Sequence, residues 1–285
     1  MASGGAEMEM EMAAFESPTA WYKGPFLGHL LPGLGLLLWS CAWVRAWLQQ
    51  PHRGPRLLAS AGLTASTAGV GTRASFSSAE QACRGVVSLA GIVSEMASAR
   101  LNTGGRMRWL FFQPPVSNLQ NFSHATMHLG LLLALICELA ERRWPRIVPP
   151  MAIFALALAL GAIAVLLAVH ASLQPAPEAA AHVPLALAFG MAAAATAGDG
   201  AWRSAGWLGA RSFALALAGT WMCRMALARD HHWDEAFRAP MAAQTVAALH
   251  FSWIAMALAS LWALLACAAR SAALRGKAPS PEARV

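Results

Sequence analysis

The segment from Ile147 to His170 contains no Asp, Glu, Lys or Arg, and it is one of seven apolar blocks in the chain. A helix of about 20 apolar residues crosses the hydrocarbon core of a bilayer. Because hydrocarbon offers the backbone no hydrogen-bond partner, such a block folds as a helix that satisfies its own peptide groups. The composition agrees, since 57% of the residues are hydrophobic and 12% are charged, about half the charged fraction of a typical soluble domain. The sequence therefore predicts an all-α fold, a polytopic membrane helical bundle.

Between five and seven of these blocks qualify as membrane spans, and we predict about seven. The second block is weak because it contains Glu80, Arg84 and Glu95, and the fifth is short and rich in Ala. The predicted spans are 26–48, 80–99, 119–140, 147–170, 183–197, 207–228 and 244–267. They form one transmembrane domain of residues 24–270, between a disordered N-terminal arm of residues 1–23 and a basic, disordered tail of residues 271–285.

The distribution of basic residues predicts the orientation of the bundle. Threading seven spans places thirteen Lys and Arg residues on one side and six on the other, with Arg84 and Arg224 left out as lying within spans. Basic residues accumulate on the cytosolic side of membrane proteins. The N-terminus is therefore predicted to lie outside or in a lumen, and the C-terminus in the cytosol.

Several classes of function find no support in the sequence. The net charge of +7 reflects membrane orientation, and no platform of basic and aromatic residues predicts a nucleic-acid partner. There is no P-loop, no Gly-x-Ser-x-Gly elbow, no His-Glu-x-x-His helix and no dinucleotide fingerprint. The five cysteines lie in apolar segments without a Cys-x-x-Cys pair, which predicts buried thiols rather than disulfides. The predicted partners are the lipid bilayer and possible lipid substrates, and no pattern predicts an oligomeric state.

The histidines are the most unusual polar feature. The stretch NFSHATMH, residues 121–128, opens the third predicted span with His124 and His128 four residues apart, on one face of a helix. In the seven-span topology, eight of the nine histidines lie at the non-cytosolic end, and only His52 lies on the other side. The eight are His29, His124, His128, His170, His182, His231, His232 and His250.

A cluster of imidazoles with a carboxylate predicts a metal or acid–base site. Zinc binds three or four nitrogen, oxygen or sulfur ligands, and an open position activates a water molecule for hydrolysis. Glu95 has no opposite charge near it in its own segment, so we expect a histidine or Arg224 to face it, whereas Glu80 and Arg84 can pair along one helix. Glu95 and His124 are the predicted catalytic residues. The predicted metal ligands are His29, His124, His170 and His182, with zinc as the possible cofactor.

Several strings, in order, resemble the transmembrane protein 45 family, including its plant members. They are GHLLPG (28–33), the frame of Glu80, Arg84, Gly91, Ile92 and Glu95, the stretch 121–127, His170 with Glu178 and His182, GTW (219–221) and FSW (251–253). The resemblance covers roughly residues 24–268. It implies a multi-pass protein, about seven spans, from a family with no established activity and no catalytic residue list.

The same resemblance separates family-like members of the polar cluster from local ones. His29, Glu95, Asn121, His124, His170 and His182 match the family pattern. His128 departs from it, because relatives tend to have an aromatic residue there. Gln174 stands near the place of a further histidine that relatives carry.

Three functions remain open from the sequence. The cluster could serve a membrane hydrolase or lipid-modifying enzyme, or it could be structural within a non-catalytic scaffold. A transporter of protons, metal ions or small solutes ranks below these, because matched broken helices are not evident.

Overall fold

The computed structural model describes residues 24–48, 78–102, 119–145, 147, 151–174, 176–202, 204–228 and 240–275. Over these ranges the chain forms seven helices and no strand, which confirms the all-α fold class. The helices are α1 (Gly24–Leu48), α2 (Ser78–Asn102), α3 (Leu119–Arg143), α4 (Ala152–Ser172), α5 (Ala176–Trp202), α6 (Ala205–Ala228) and α7 (Pro240–Arg275). The predicted N-terminal arm lies outside the described residues, as do residues 276–285 of the predicted tail.

Five of the helices, α1, α3, α4, α5 and α7, are long and apolar enough to cross a membrane. This indicates an integral, multi-pass membrane protein. The fifth predicted span, residues 183–197, is too short. Helix α5 runs from Ala176 to Trp202 and is long enough to cross the hydrocarbon core. The sixth predicted span forms α6 but is not among the five.

Consecutive helices run in opposite directions. Glu95 late in α2 contacts His124 early in α3, and Trp221 late in α6 contacts Ala181 early in α5. The most extensive helix contacts are those of α1 with α6 and of α4 with α5, and α7 packs against α5 and α6. Ionisable residues that are far apart in sequence therefore meet at one of the two ends of the bundle.

Helix α6 forms the centre of the bundle. Residues 214–219 are all buried between α1, α5 and α7. Where α1 crosses α6, a Cβ added at Gly33 would lie 2.9 Å from the carbonyl oxygen of Gly219, and one added at Gly219 would lie 2.8 Å from that of Gly33. Small residues allow membrane helices to approach this closely. The two glycines therefore fix α1 against α6 one turn from His29.

Opposite the histidines lies a charged layer, which we call the arginine end: Arg84, Glu138, Arg142, Asp199 and Arg211. Glu138 binds Arg84 and Arg142, each at 2.7 Å. Arg211 contacts Asp199 at 3.2 Å, and its guanidinium carbon lies 3.5 Å from the centre of the Trp43 ring. About 20 Å of helix separates Glu138 from His124 along α3. The layer joins α2 to α3 and α5 to α6 by ion pairs.

One sequence-based assignment changes at the arginine end, and a second is not tested there. Arg211 was counted as a basic residue flanking the membrane, but it is buried in α6, so the topology count becomes twelve against six and keeps its sign. The described partner of Arg84 is Glu138 on the neighbouring helix; the pairing of Arg84 with Glu80, whose side chain is not described, stays a prediction.

All five cysteines are free thiols, as expected. The prediction that they are buried is wrong, because Cys41, Cys83 and Cys267 are exposed and Cys137 and Cys223 are half-buried. An outer surface that faces lipid accepts such small, weakly polar side chains.

Candidate functional site

Glu95 is held by two side chains from the first turns of α3. Asn121 Nδ2 donates a hydrogen bond to Glu95 Oε2 at 2.9 Å, and His124 Nδ1 lies 3.2 Å from Glu95 Oε1. Asn121 and His124 are three residues apart, so they project from the same face of the helix. The expectation that a histidine or Arg224 faces Glu95 is confirmed for a histidine.

The Glu95 contact determines which nitrogen of His124 remains for chemistry. An ionised carboxylate only accepts hydrogen bonds, so beside an ionised Glu95 it is Nδ1 of His124 that carries the hydrogen. In the neutral ring, Nε2 then keeps its lone pair. The side chains of His124 and Glu95 are 30% and 25% exposed, so the pair is half-buried and can be reached from outside. His124 Nε2 is therefore the atom at this pair that can take up a proton or bind a metal.

Three further histidines continue from His124 in a single row. The ring centres of His124 and His170 are 5.8 Å apart, those of His170 and His182 are 4.7 Å apart, and those of His182 and His29 are 6.0 Å apart. We call Glu95, His124, His170, His182 and His29 the histidine row. Its members come from α2, α3, α4, α5 and α1, in that order. The fold thus brings every predicted catalytic and metal-ligating residue into one continuous set of contacts.

Two contacts position the middle of the row. His170 is buried, and its Nε2 lies 3.3 Å from Gln174 Nε2, one turn further along the chain. On α5, the indole nitrogen of Trp221 donates a hydrogen bond to the carbonyl oxygen of Ala181, next to His182, at 2.7 Å. Sequence reasoning noted Gln174 and Trp221 only as matches to or departures from a family pattern. The structure shows that they touch the row or hold its helix.

His128 lies outside the row although it is one turn from His124. A Cβ added at Gly91 would be 2.5 Å from the His128 ring, so this imidazole packs on the bare backbone of α2. His250, also predicted at this end, packs edge-to-face against Trp253 with ring centres 5.2 Å apart. His52, His231 and His232 lie outside the described residues. The His-x-x-x-His pair in the sequence is therefore not the unit that builds the site.

The row is extended rather than closed. In the described part of the chain, no three His, Cys, Asp or Glu side chains converge closely enough to hold a metal ion. Two apolar grooves, of about 410 Å³ beside α1, α6 and α7 and about 310 Å³ beside α4 and α5, contain no member of the row. The grouping of the residues is thus observed, whereas their catalytic and metal-binding roles stay predictions.

No protein-family model, curated protein or solved structure matches this chain. The resemblance to the transmembrane protein 45 family therefore stays a prediction. Any functional argument therefore depends on the geometry of the histidine row in this integral membrane protein.

Proposed function

We propose that this membrane protein is a hydrolase in which the histidine row is an acid–base centre acting on lipids near the non-cytosolic surface. The observation that carries the proposal is the contact of Glu95 with His124 Nδ1, continued by His170. Ionisable residues inside a helical bundle are costly to insert and in membrane proteins commonly have functional roles. Here five of them are assembled from five helices.

The chemistry follows from the tautomer of His124. His124 Nε2 accepts a proton from water, and the water oxygen attacks the carbonyl carbon of an ester or amide. The carbonyl carbon then loses its bond to the alcohol or amine, which receives the proton from His124. Glu95 acts as a positioning residue because it contacts His124 Nδ1, and Asn121 in turn holds Glu95. This division of roles resembles that of base and orienting carboxylate in other hydrolytic sites.

The location of the row supports a lipid as the substrate class. The row lies between helices that are apolar on their outer faces, and His124 and Glu95 remain partly exposed. A bond near the headgroup, an ester or an amide, would meet the row at the level of the helix ends.

One observation favours a second function, a proton relay for transport. The imidazoles form a line instead of a closed pocket, and chains of Glu and His carry protons in pumps and transporters. In this function the histidine row would be the part of the relay at one end of the bundle, with Glu95 and His29 at its two edges.

Lipid turnover in nanodiscs tests the hydrolase. The purified protein is embedded with a mixture of ester-linked and amide-linked lipids, and released products are measured by mass spectrometry. His124→Ala should lower kcat by about 10²–10⁴-fold, the usual share of a general base. Glu95→Gln should lower kcat with KM unchanged, and Glu95→Asp should recover part of the loss. His250→Ala is the matched control, since that ring packs against Trp253 outside the row, and it should retain full activity.

The same preparation separates the alternatives. If no lipid is cleaved, but protons cross liposomes that contain the protein and Glu95→Gln abolishes the flux, the relay replaces the hydrolase. If neither activity is present, both proposals fail and a scaffold with structural histidines remains.

A further inference from the structure

We propose that the three exposed cysteines near the arginine end, Cys41, Cys83 and Cys267, are S-acylation sites, at which a long-chain acyl group is joined to the thiol as a thioester. The acyl donor is an acyl-coenzyme A from the cytosol. The proposal does not depend on the histidine row, which lies at the opposite end of the bundle. It gives a chemical role to thiols that were predicted from the sequence only as buried side chains.

Two of the thiols lie at the level of the arginine end. Cys83 precedes Arg84 in α2, and the guanidinium carbon of Arg84 lies 5.1 Å from the centre of the Trp39 ring in α1. Cys41 follows Trp39 by two residues. Because a single contact joins the neighbours of these two cysteines, Cys41 and Cys83 lie at nearly the same depth in the bundle.

The third thiol lies slightly nearer the end of its helix. The indole nitrogen of Trp262 in α7 donates a hydrogen bond to Ser212 Oγ at 3.2 Å, and Ser212 follows Arg211 in α6. Cys267 is five residues beyond Trp262, which is about 7.5 Å along the helix axis. The three thiols come from three different helices and therefore form one band at this end of the bundle.

Exposure separates these three thiols from the two remaining cysteines. All three are exposed, so an acyl chain attached to any of them can extend along the outer surface of the helices. Cys223 is half-buried at the α1–α6 crossing, where its Sγ would lie 2.8 Å from a Cβ added at Gly33. Cys137, next to Glu138 in α3, is also half-buried. The chain thus contains two cysteines of the same chemistry with less room for an acyl group.

Each exposed thiol is also close to a basic residue or to the end of its helix. Arg45 follows Cys41 by four residues, Arg270 follows Cys267 by three, and Cys83 is the sixth residue of α2. At a rise of about 1.5 Å per residue, these separations are about 8 Å or less. Juxtamembrane cysteines are typical sites of reversible S-acylation. The distribution of basic residues predicts that this end faces the cytosol, where basic side chains attract the phosphates of acyl-coenzyme A.

The reaction exchanges one thioester for another. The cysteine sulfur, as thiolate, attacks the carbonyl carbon of the acyl-coenzyme A. The bond from that carbon to the coenzyme A sulfur breaks, and coenzyme A leaves as a thiol after taking up the proton that the cysteine lost. No oxidant or reductant is required.

An acyl chain has a physical role at Cys83. Helix α2 is not among the five helices that are long and apolar enough to cross a membrane, and its most extensive helix contact is with α3. An attached acyl chain adds apolar surface that partitions into the bilayer. S-acylation of Cys83 therefore anchors the arginine end of α2 in the membrane.

Metabolic labelling tests the assignment. The full chain is expressed in eukaryotic cells supplied with an alkyne analogue of palmitate, purified, and coupled to a fluorescent azide. We expect the wild type to carry label that hydroxylamine removes, because hydroxylamine cleaves thioesters. The triple variant Cys41→Ser, Cys83→Ser and Cys267→Ser should lose all of this label. The double variant Cys137→Ser and Cys223→Ser is the matched control and should keep the wild-type amount.

Two labelling results would overturn the proposal: a folded wild-type protein without hydroxylamine-sensitive label, or a triple variant that retains it. Circular dichroism of each variant shows whether its helices are intact, so that a loss of label is assigned to the loss of the thiols. Removal of the acyl chains from the wild type with hydroxylamine should also increase hydrogen exchange in the first turns of α2. Unchanged exchange there would contradict the anchoring role of the chain at Cys83.

Discussion

Replacing Gly33 by Ala tests how the α1–α6 crossing holds the bundle together. The added Cβ would lie 2.8 Å from Cys223 Sγ and 2.9 Å from the Gly219 carbonyl oxygen. A side chain can rotate away, but the carbonyl belongs to the backbone of α6, so the helices must separate. Overpacking of this kind typically costs about 1–3 kcal/mol. Alanine is the better helix former by about 1 kcal/mol, which offsets part of that cost.

Gly35→Ala, on the same helix, is the matched control, because a Cβ added at Gly35 would have no neighbouring atom within 4 Å. The gain in helix propensity is common to both variants, so the difference between their free energies of unfolding isolates the steric cost. We expect Gly33→Ala to be less stable than Gly35→Ala by about 1–3 kcal/mol. Titration with SDS in mixed micelles, followed by far-ultraviolet circular dichroism, measures that difference. Equal stabilities of the two variants would refute the close crossing.

Two other contacts make quantitative predictions. Asp199→Asn leaves the buried guanidinium of Arg211 without its carboxylate, and we expect the protein to lose about 3 kcal/mol of stability in the same SDS titration. A loss below that of an exposed ion pair, about 1 kcal/mol, would show that Arg211 does not depend on Asp199. Trp221→Phe keeps an aromatic ring but removes the hydrogen bond to the Ala181 carbonyl, which should cost about 1 kcal/mol. Hydrogen exchange of the first turns of α5 should rise in this variant, and an unchanged exchange rate would contradict the anchoring role.

The helices and the polar end of the bundle could be predicted from the sequence because the membrane imposes both. Apolar blocks must become helices, and helices that alternate in direction must bring His29, His124 and His182 to the end where Glu95 and His170 lie. The helix limits were less accurate. The block at Ile147 begins too early as a span, since α4 starts at Ala152 after a Pro-Pro pair, and the residue before a proline disfavours helix.

Packing between helices determines side-chain contacts that the sequence pattern does not predict. The helical period alone places His124 and His128 on one face of α3. In the structure the His128 ring packs on the backbone at Gly91, whereas His124 contacts Glu95. In the sequence Arg211 resembles a residue that flanks the membrane. In the structure it contacts Asp199 and Trp43, which come from two other helices. The order of rings in the row depends on how α4 and α5 pack, which no local sequence rule describes.

The central claim is that imidazoles from four helices and a carboxylate from a fifth meet at one end of a membrane bundle. A structure determined in lipid nanodiscs measures this most directly. We expect Glu95 within hydrogen-bond distance of His124, and His170 between His124 and His182 with each neighbouring pair of ring centres within the 4.7–6.0 Å range found here. Imidazoles that point separately towards acyl chains, with Glu95 bound to none of them, would contradict the account.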